Sequence, residues 1–110
     1  MPSPDLRRGD CVRLRSPRGA HGHEQQGERF GVVLQGDEFA RLSTVIIAPT
    51  STSARDATFR PAVEIDGSAT RVLVEHMGAV DPARLGPLVD RLDGLELAAV
   101  DDAVRLLLDV

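Results

Sequence analysis

Apolar and polar positions alternate in short runs along most of the chain and switch to a helical period only at its end. Val12 and Leu14 alternate with Arg13 and Arg15, the period-two pattern of a half-buried strand. Residues 16–28 contain Pro17, Gly19, Gly22 and Gly27 and no periodicity. They predict a long loop, of the kind that often carries function. Val32, Val33 and Leu34 mark a second strand over 30–35, and 36–42 suit a short helical turn. The β-branched run over 45–48 predicts a buried central strand, stopped by Pro49. Residues 50–56 read as a polar loop. Val63 and Ile65 alternate with Glu64 and Asp66, and the Asp66-Gly67 step predicts a hairpin into a strand over 71–76. A brief helical turn over 81–85 and a last strand over 85–92 follow.

The final segment has the clearest period. Leu97, Val100, Val104, Leu107 and Leu108 fall on one helical face, with Asp101, Asp102, Arg105 and Asp109 on the other. Asp93, with Glu96 three residues on, predicts a capping box that starts this helix. Several short strands and one terminal helix predict a mainly β fold, a small barrel with the helix packed on its side.

Composition narrows the picture. A chain of 110 residues with 42% apolar content can bury one core, and is too short for two domains. Cys11 is the single cysteine, so no internal disulfide forms, which fits a reducing cytoplasm. No apolar run reaches the roughly 20 residues that span a bilayer, and no signal-peptide segment opens the chain. A cytoplasmic protein is expected. The net charge of −4 argues against a nucleic-acid partner until its distribution is considered. Residues 1–60 hold 9 Arg against 7 acids, and residues 61–110 hold 4 Arg against 10 acids. The early half can therefore form a local basic surface that attracts phosphates.

No metal-ligand spacing, P-loop, dinucleotide fingerprint or nucleophile elbow occurs, so no metal and no cofactor are expected. Two loops carry chemistry. The first runs from Gly19 to Arg29 and contains His21, His23, Glu24, Gln25, Gln26 and Glu28. The second follows the buried strand with Thr50, Ser51, Thr52 and Ser53, and Arg55 lies just beyond. Hydroxyls and Arg at strand ends can hold a phosphate. RNA brings its own nucleophile, the 2′-hydroxyl, so a protein that cuts it needs a base, an acid and donors for the charge building on phosphorus. The same residues also suit ordinary roles: a Ser/Thr run often satisfies its own turn.

The pieces occur in a telling order. Arg8-Gly9-Asp10 opens the first strand, and the polar loop ends in Glu28-Arg29 before Val32-Val33-Leu34. Then come Leu42-Ser43-Thr44-Val45-Ile46-Ile47-Ala48-Pro49-Thr50-Ser51-Thr52-Ser53, Phe59-Arg60-Pro61, and Arg71-Val72-Leu73-Val74-Glu75-His76. Ala79-Val80-Asp81, Arg84-Leu85-Gly86 and the Arg105–Asp109 helix end complete the series. Over residues 7–110 this succession resembles the MazF/PemK family of mRNA interferases, in particular its actinobacterial branch.

The resemblance implies one toxin domain over 1–110, with residues 1–7 frayed, folded as an SH3-like barrel of the MazF/Kid/CcdB type with a C-terminal helix. It implies a homodimer, a cognate antitoxin, and no membrane. The implied activity is metal-independent cleavage of single-stranded RNA at a short sequence, leaving 2′,3′-cyclic phosphate and 5′-hydroxyl ends. Residue by residue, it implies Arg29 and Ser51 as catalytic, with Glu24, Gln25, Gln26, Phe30, Thr52, Ser53 and Arg55 toward the RNA. Many relatives carry Pro where Phe30 stands here. An aromatic there could stack on a base or pack in the barrel. Some relatives place an Arg and an Asp on the fifth strand as an acid/base pair, where this chain has Leu73 and Glu75. Acid/base work then falls on Arg29, Glu75 or a histidine, His23 or His76. Two alternatives share the barrel: a gyrase-poisoning toxin that binds a protein and cuts nothing, and a degenerate member that only binds antitoxin.

Overall fold

The computed structural model describes residues 6–15 and 29–110. The loop expected over 16–28, with His23, Glu24, Gln25 and Gln26, lies outside the described residues. The described residues form seven strands and one helix: β1 (Asp10–Leu14), β2 (Arg29–Val33), β3 (Val45–Ser51), β4 (Ala62–Ile65), β5 (Ser68–Val72), β6 (Gly78–Val80), β7 (Leu85–Arg91) and α1 (Gly94–Leu108). Short 3-10 turns span Asp37–Phe39, Val74–His76 and Pro82–Arg84. The sheet runs β4-β5-β3-β2-β1-β7, with β6 also paired to β3. Every pairing is antiparallel.

The central strand β3 departs from expectation, because it continues through Pro49 to Ser51. Leu34 N–H donates to Ile46 C=O, so even-numbered residues of β3 hydrogen-bond β2 and odd-numbered ones face the other edge. On that edge β5 pairs Thr50 with Val72, while β6 pairs Ile47 with Gly78. Three residues on β3 thus correspond to six on the facing chain, and the Val74–His76 turn takes up the excess. Pro49 stands at this break. Its carbonyl accepts from Leu73 N–H at 2.8 Å, and the donor it lacks falls where the ladder is already interrupted. A proline there removes nothing the sheet needs. The same turn ends the expected 71–76 strand at Val72 and places Glu75 outside any strand.

Two apolar clusters lie on the two faces of the curled sheet. The larger joins Cys11, Val32, Ala48, Val63, Ile65, Val72 and Val74 to Leu92, Val100 and Ala103 beneath α1. The smaller joins Val12, Val33, Val45, Ile47 and Leu85, with Leu6 packed against it. Cys11 and Val12 are both fully buried, so β1 is covered on both faces where one buried face was expected. Leu6 and Arg7, expected in the frayed end, are tied in: Arg7 N–H donates to the buried Asp10 carboxylate at 2.8 Å. Arg8 pairs with Asp101 and fastens the start of β1 to α1.

The helix begins as its sequence predicts. Asp93 Oδ1 accepts from Glu96 N–H at 2.8 Å, and Glu96 Oε1 accepts from Asp93 N–H at 3.0 Å. Its apolar stripe is only partly used. Val100 and Ala103 are buried, whereas Leu107 and Leu108 remain exposed.

The outer edge of β4 is closed by carboxylates instead of by a strand. Glu64 N–H donates to Glu96 Oε2 at 2.8 Å, and Asp66 N–H donates to Asp90 Oδ2 at 2.7 Å. The Asp66 and Arg91 backbone N–H groups hold the Asp90 carboxyl below its ordinary range. A carboxyl depressed in the folded state adds stability that is present above its unfolded value, about 3.9, and disappears as pH falls through the folded value. Asp90→Asn is therefore expected to lower the melting temperature near neutrality. The gap from wild type should narrow as pH falls below the unfolded value of about 3.9. A gap independent of pH in thermal melts would contradict this role for the charge.

Candidate active site

Arg29 and Ser51 lie at the same end of β2 and β3, two residues beyond the last pair of their ladder. Gly31 faces Pro49, so two residues further along each strand Arg29 opens β2 opposite the point where Ser51 closes β3. Thr50 Oγ1, buried, donates to Phe30 C=O at 3.4 Å and keeps these strand ends together. On its other side Ser51 is the direct partner of Arg71 in β5. Side chains of directly paired residues emerge on the same face. Leu14 and Arg29 therefore share a face, as do Ser51 and Arg71, and alternation from the Gly31–Pro49 pair puts both pairs on the same face of the sheet.

The hydroxyl run sorts itself by strand alternation. Thr50 points inward and Ser51 is half-buried on the rim, while Thr52 and Ser53 are exposed. Ser53 N–H donates to Ser51 Oγ at 3.2 Å, and the two Oγ atoms lie 3.2 Å apart. The run thus makes the turn expected of Ser and Thr, with Ser51 Oγ accepting from the Ser53 backbone and sharing a hydroxyl hydrogen bond with Ser53 Oγ.

Arg29 is exposed at this end of the sheet. Arg60 is fully engaged by the protein. Its Nε and Nη2 both meet Glu75 Oε2 at 2.7 Å, and its Nη1 donates to Arg55 C=O at 3.2 Å. Burial pushes the Glu75 carboxyl up. The Arg60 hydrogen bond, a backbone N–H and the Arg60 and His76 charges outweigh it, leaving Glu75 below the usual carboxylate range. His76 Nε2 lies 3.9 Å from the same oxygen. Arg55 is exposed and contributes its carbonyl to this cluster.

Phe30 is not on the Arg29 face. It alternates with Arg29 onto the other face, packs against the larger core, and carries the Arg13 guanidinium 5.7 Å from its ring centre. His23, Glu24, Gln25 and Gln26 lie outside the described residues. Among the described residues, no group of three or more His, Cys, Asp or Glu could hold a metal ion. Burial, joined by the Asp90, Glu96 and Asp10 charges, pushes the Cys11 thiol up to about 12, so it is inert as a nucleophile. No helix among the described residues is long and apolar enough to cross a membrane.

Arg60 and Arg71 were not singled out as site residues by the sequence. The Asp66-Gly67 turn announces the β4–β5 hairpin, but nothing local reveals that β5 docks on the end of β3.

This arrangement can be set beside known proteins. Residues 7–108 match the family of the PemK-like, MazF-like toxin of type II toxin-antitoxin systems. The chain belongs to this family. As a MazF/PemK-family protein, it is 39% identical over 98 residues to a Mycobacterium tuberculosis protein described as "Putative toxin Rv3098A/RVBD_3098A", covering 88% of this chain and 92% of that one. Its fold matches MazF from Deinococcus radiodurans with a TM-score of 0.75 at 24% identity, over 96% of this chain and 97% of that one. An endoribonuclease in complex with its cognate antitoxin from a mycobacterial species matches with a TM-score of 0.77 at 13% identity, over 96% of each chain. The M. tuberculosis toxin MazF-mt6 matches with a TM-score of 0.74 at 15% identity, over 92% of this chain and 97% of that one. At these identities the structural likenesses establish the fold: mainly β, a curled antiparallel half-barrel with one C-terminal helix.

Proposed function

We propose that this MazF/PemK-family chain is an endoribonuclease toxin that cuts single-stranded RNA, mRNA in particular, at a short sequence. The observation that supports this reading is that Arg29 opens β2 and Ser51 closes β3 at the same end of the sheet, in the order the family uses. The RNA 2′-hydroxyl attacks the neighbouring phosphorus and the bond to the 5′-oxygen breaks. Ser51 donates a hydrogen bond to a phosphoryl oxygen. Arg29 donates to the charge that builds there and passes a proton to the departing oxygen, an alkoxide more basic than guanidine. The products are a 2′,3′-cyclic phosphate and a 5′-hydroxyl. Charge and nucleophile come from side chain and substrate, so the scheme uses no metal. Glu75 is ionised at neutral pH, which leaves it the role of base and removes that of acid; His23 is the other candidate base. Thr52, Ser53 and Arg55 lie near the rim, where RNA would pass.

The partners follow from the same reading: a cognate antitoxin that blocks the RNA path, a second copy of the chain, and a cytoplasmic setting. The exposed Leu106, Leu107, Leu108 and Val110 at the end of α1 are apolar surface that a protein partner would cover.

The test is incubation with a long single-stranded RNA in EDTA, with end-group analysis. Wild type should cut at a few sites and leave cyclic phosphates. Ser51→Ala should cut at the same sites about 10-fold or more slowly, the effect of losing one transition-state hydrogen bond. Folded wild type that cuts no RNA would instead favour a toxin that binds protein.

A further inference from the structure

Arg71 has no part in the scheme above, yet it is the direct cross-strand partner of Ser51. We propose that Arg71 is a second phosphate-binding residue of the RNA site, and that the Asp56 carboxylate is its counter-ion, displaced when an RNA phosphate arrives. The inference rests on the ribonuclease reading and deepens it.

Three observations support it. The first is placement: Arg71 is the direct partner of Ser51, and alternation from the Gly31–Pro49 pair puts Arg29 on the same face at the same end of β2. Paired strands lie about 4.8 Å apart, so Arg71 stands within reach of a phosphate whose oxygen Ser51 holds. The second is availability. Arg60 uses Nε, Nη1 and Nη2 within the protein. Arg71 is engaged through Nη1 alone, donating to Arg60 C=O at 2.9 Å and lying 3.2 Å from Asp56 Oδ1. Among the described residues nothing bonds its Nε or Nη2, so a fork of donors remains for an anion.

The third is the contrast between the two partners of Nη1. The Arg60 carbonyl belongs to a segment fixed by the Glu75 pair, so it orients the guanidinium. The Asp56 side chain is 86% exposed while that of Arg71 is 28% exposed. Such a solvent-facing carboxylate is held weakly. A phosphate gripped by two parallel N–H donors is the stronger partner.

The experiment uses a fluorescent single-stranded oligonucleotide with 2′-O-methyl sugars, which lacks the nucleophile and cannot be cut. Its binding to the full chain is titrated by anisotropy at several salt concentrations, with circular dichroism on every variant. Arg71→Ala should weaken binding about 10-fold and reduce the slope of log K against log salt by about 0.7, one single-strand phosphate contact. Arg71→Lys should keep the slope while losing part of the affinity. Asp56→Asn should tighten binding about two- to fivefold, the size of an exposed ion pair. A merely structural Arg71–Asp56 pair predicts the reverse, with both partners' removal weakening binding.

The failures separate. If wild type binds the oligonucleotide and cuts unmodified RNA, but Arg71→Ala and Arg71→Lys leave affinity and slope unchanged, the inference falls and the ribonuclease reading stands. The same holds if Asp56→Asn weakens binding. If folded wild type neither binds the oligonucleotide nor cuts RNA, both fall together.

Discussion

Arg29→Ala is expected to reduce RNA cleavage by about 10²–10³-fold, the effect of removing one donor aimed at transition-state charge, while the protein stays folded. Arg29 begins β2 and is exposed, and its guanidinium forms no ion pair with a described residue. Its removal opens no cavity, so the melting temperature should stay within about 2 °C of wild type, as for a surface substitution. Arg29→Lys keeps the charge but not the planar fork, and should recover only part of the rate. The check is single-turnover cleavage beside a thermal melt. Full activity of the Ala variant would remove Arg29 from the mechanism. Loss of activity together with the fold would instead mean that the residue holds β2 in place.

The second large effect is on stability. Ile65 is among the largest fully buried side chains and lies in the cluster that joins the β4–β5 hairpin to α1. Ile65→Ala should destabilise the fold by about 2–5 kcal/mol through lost apolar burial and the cavity left behind. For a chain of this size that is a fall in melting temperature of about 10 °C or more. Comparison needs equal protein concentrations, because self-association would add to the measured stability. Ile65→Val, which removes one methylene, should lose only about 0.5–1.5 kcal/mol. If both variants melt with wild type, the helix and hairpin do not form one cooperative unit.

These two residues lie at opposite ends of what the sequence made legible. Ile65 was visible locally: it alternates with Glu64 and precedes Asp66-Gly67, whose φ values of 53° and 78° are those of a tight hairpin turn. Arg29 is proposed as functional only through the order of motifs around it, since an Arg before a strand has no local mark of function. The capping box and the short turns near 37 and 82 were legible for the same local reason. Each depends on residues three or four apart, whose hydrogen bonds form wherever the chain goes.

The tertiary structure decided what depends on pairing between distant segments. Pro49 reads as a strand stop, but it sits inside β3 because the opposing edge is interrupted where its missing donor falls. The three-residue β6 carries too little pattern to be recognised, and exists because β3 extends past the end of β5. Leu107 and Leu108 continue the helical stripe in sequence, while the core beneath buries Val100 and Ala103, meets Leu97 and Val104 at its margin, and stops short of both leucines. Glu75 reads as a strand carboxylate, and the fold turns it onto Arg60. Arg71 becomes the neighbour of Ser51 only when β5 docks on the end of β3. Period, caps and turn residues act over a few bonds and are written in the sequence by themselves. The register between strands 20 or more residues apart, such as Ser51 and Arg71, is fixed only when the whole sheet closes over its core.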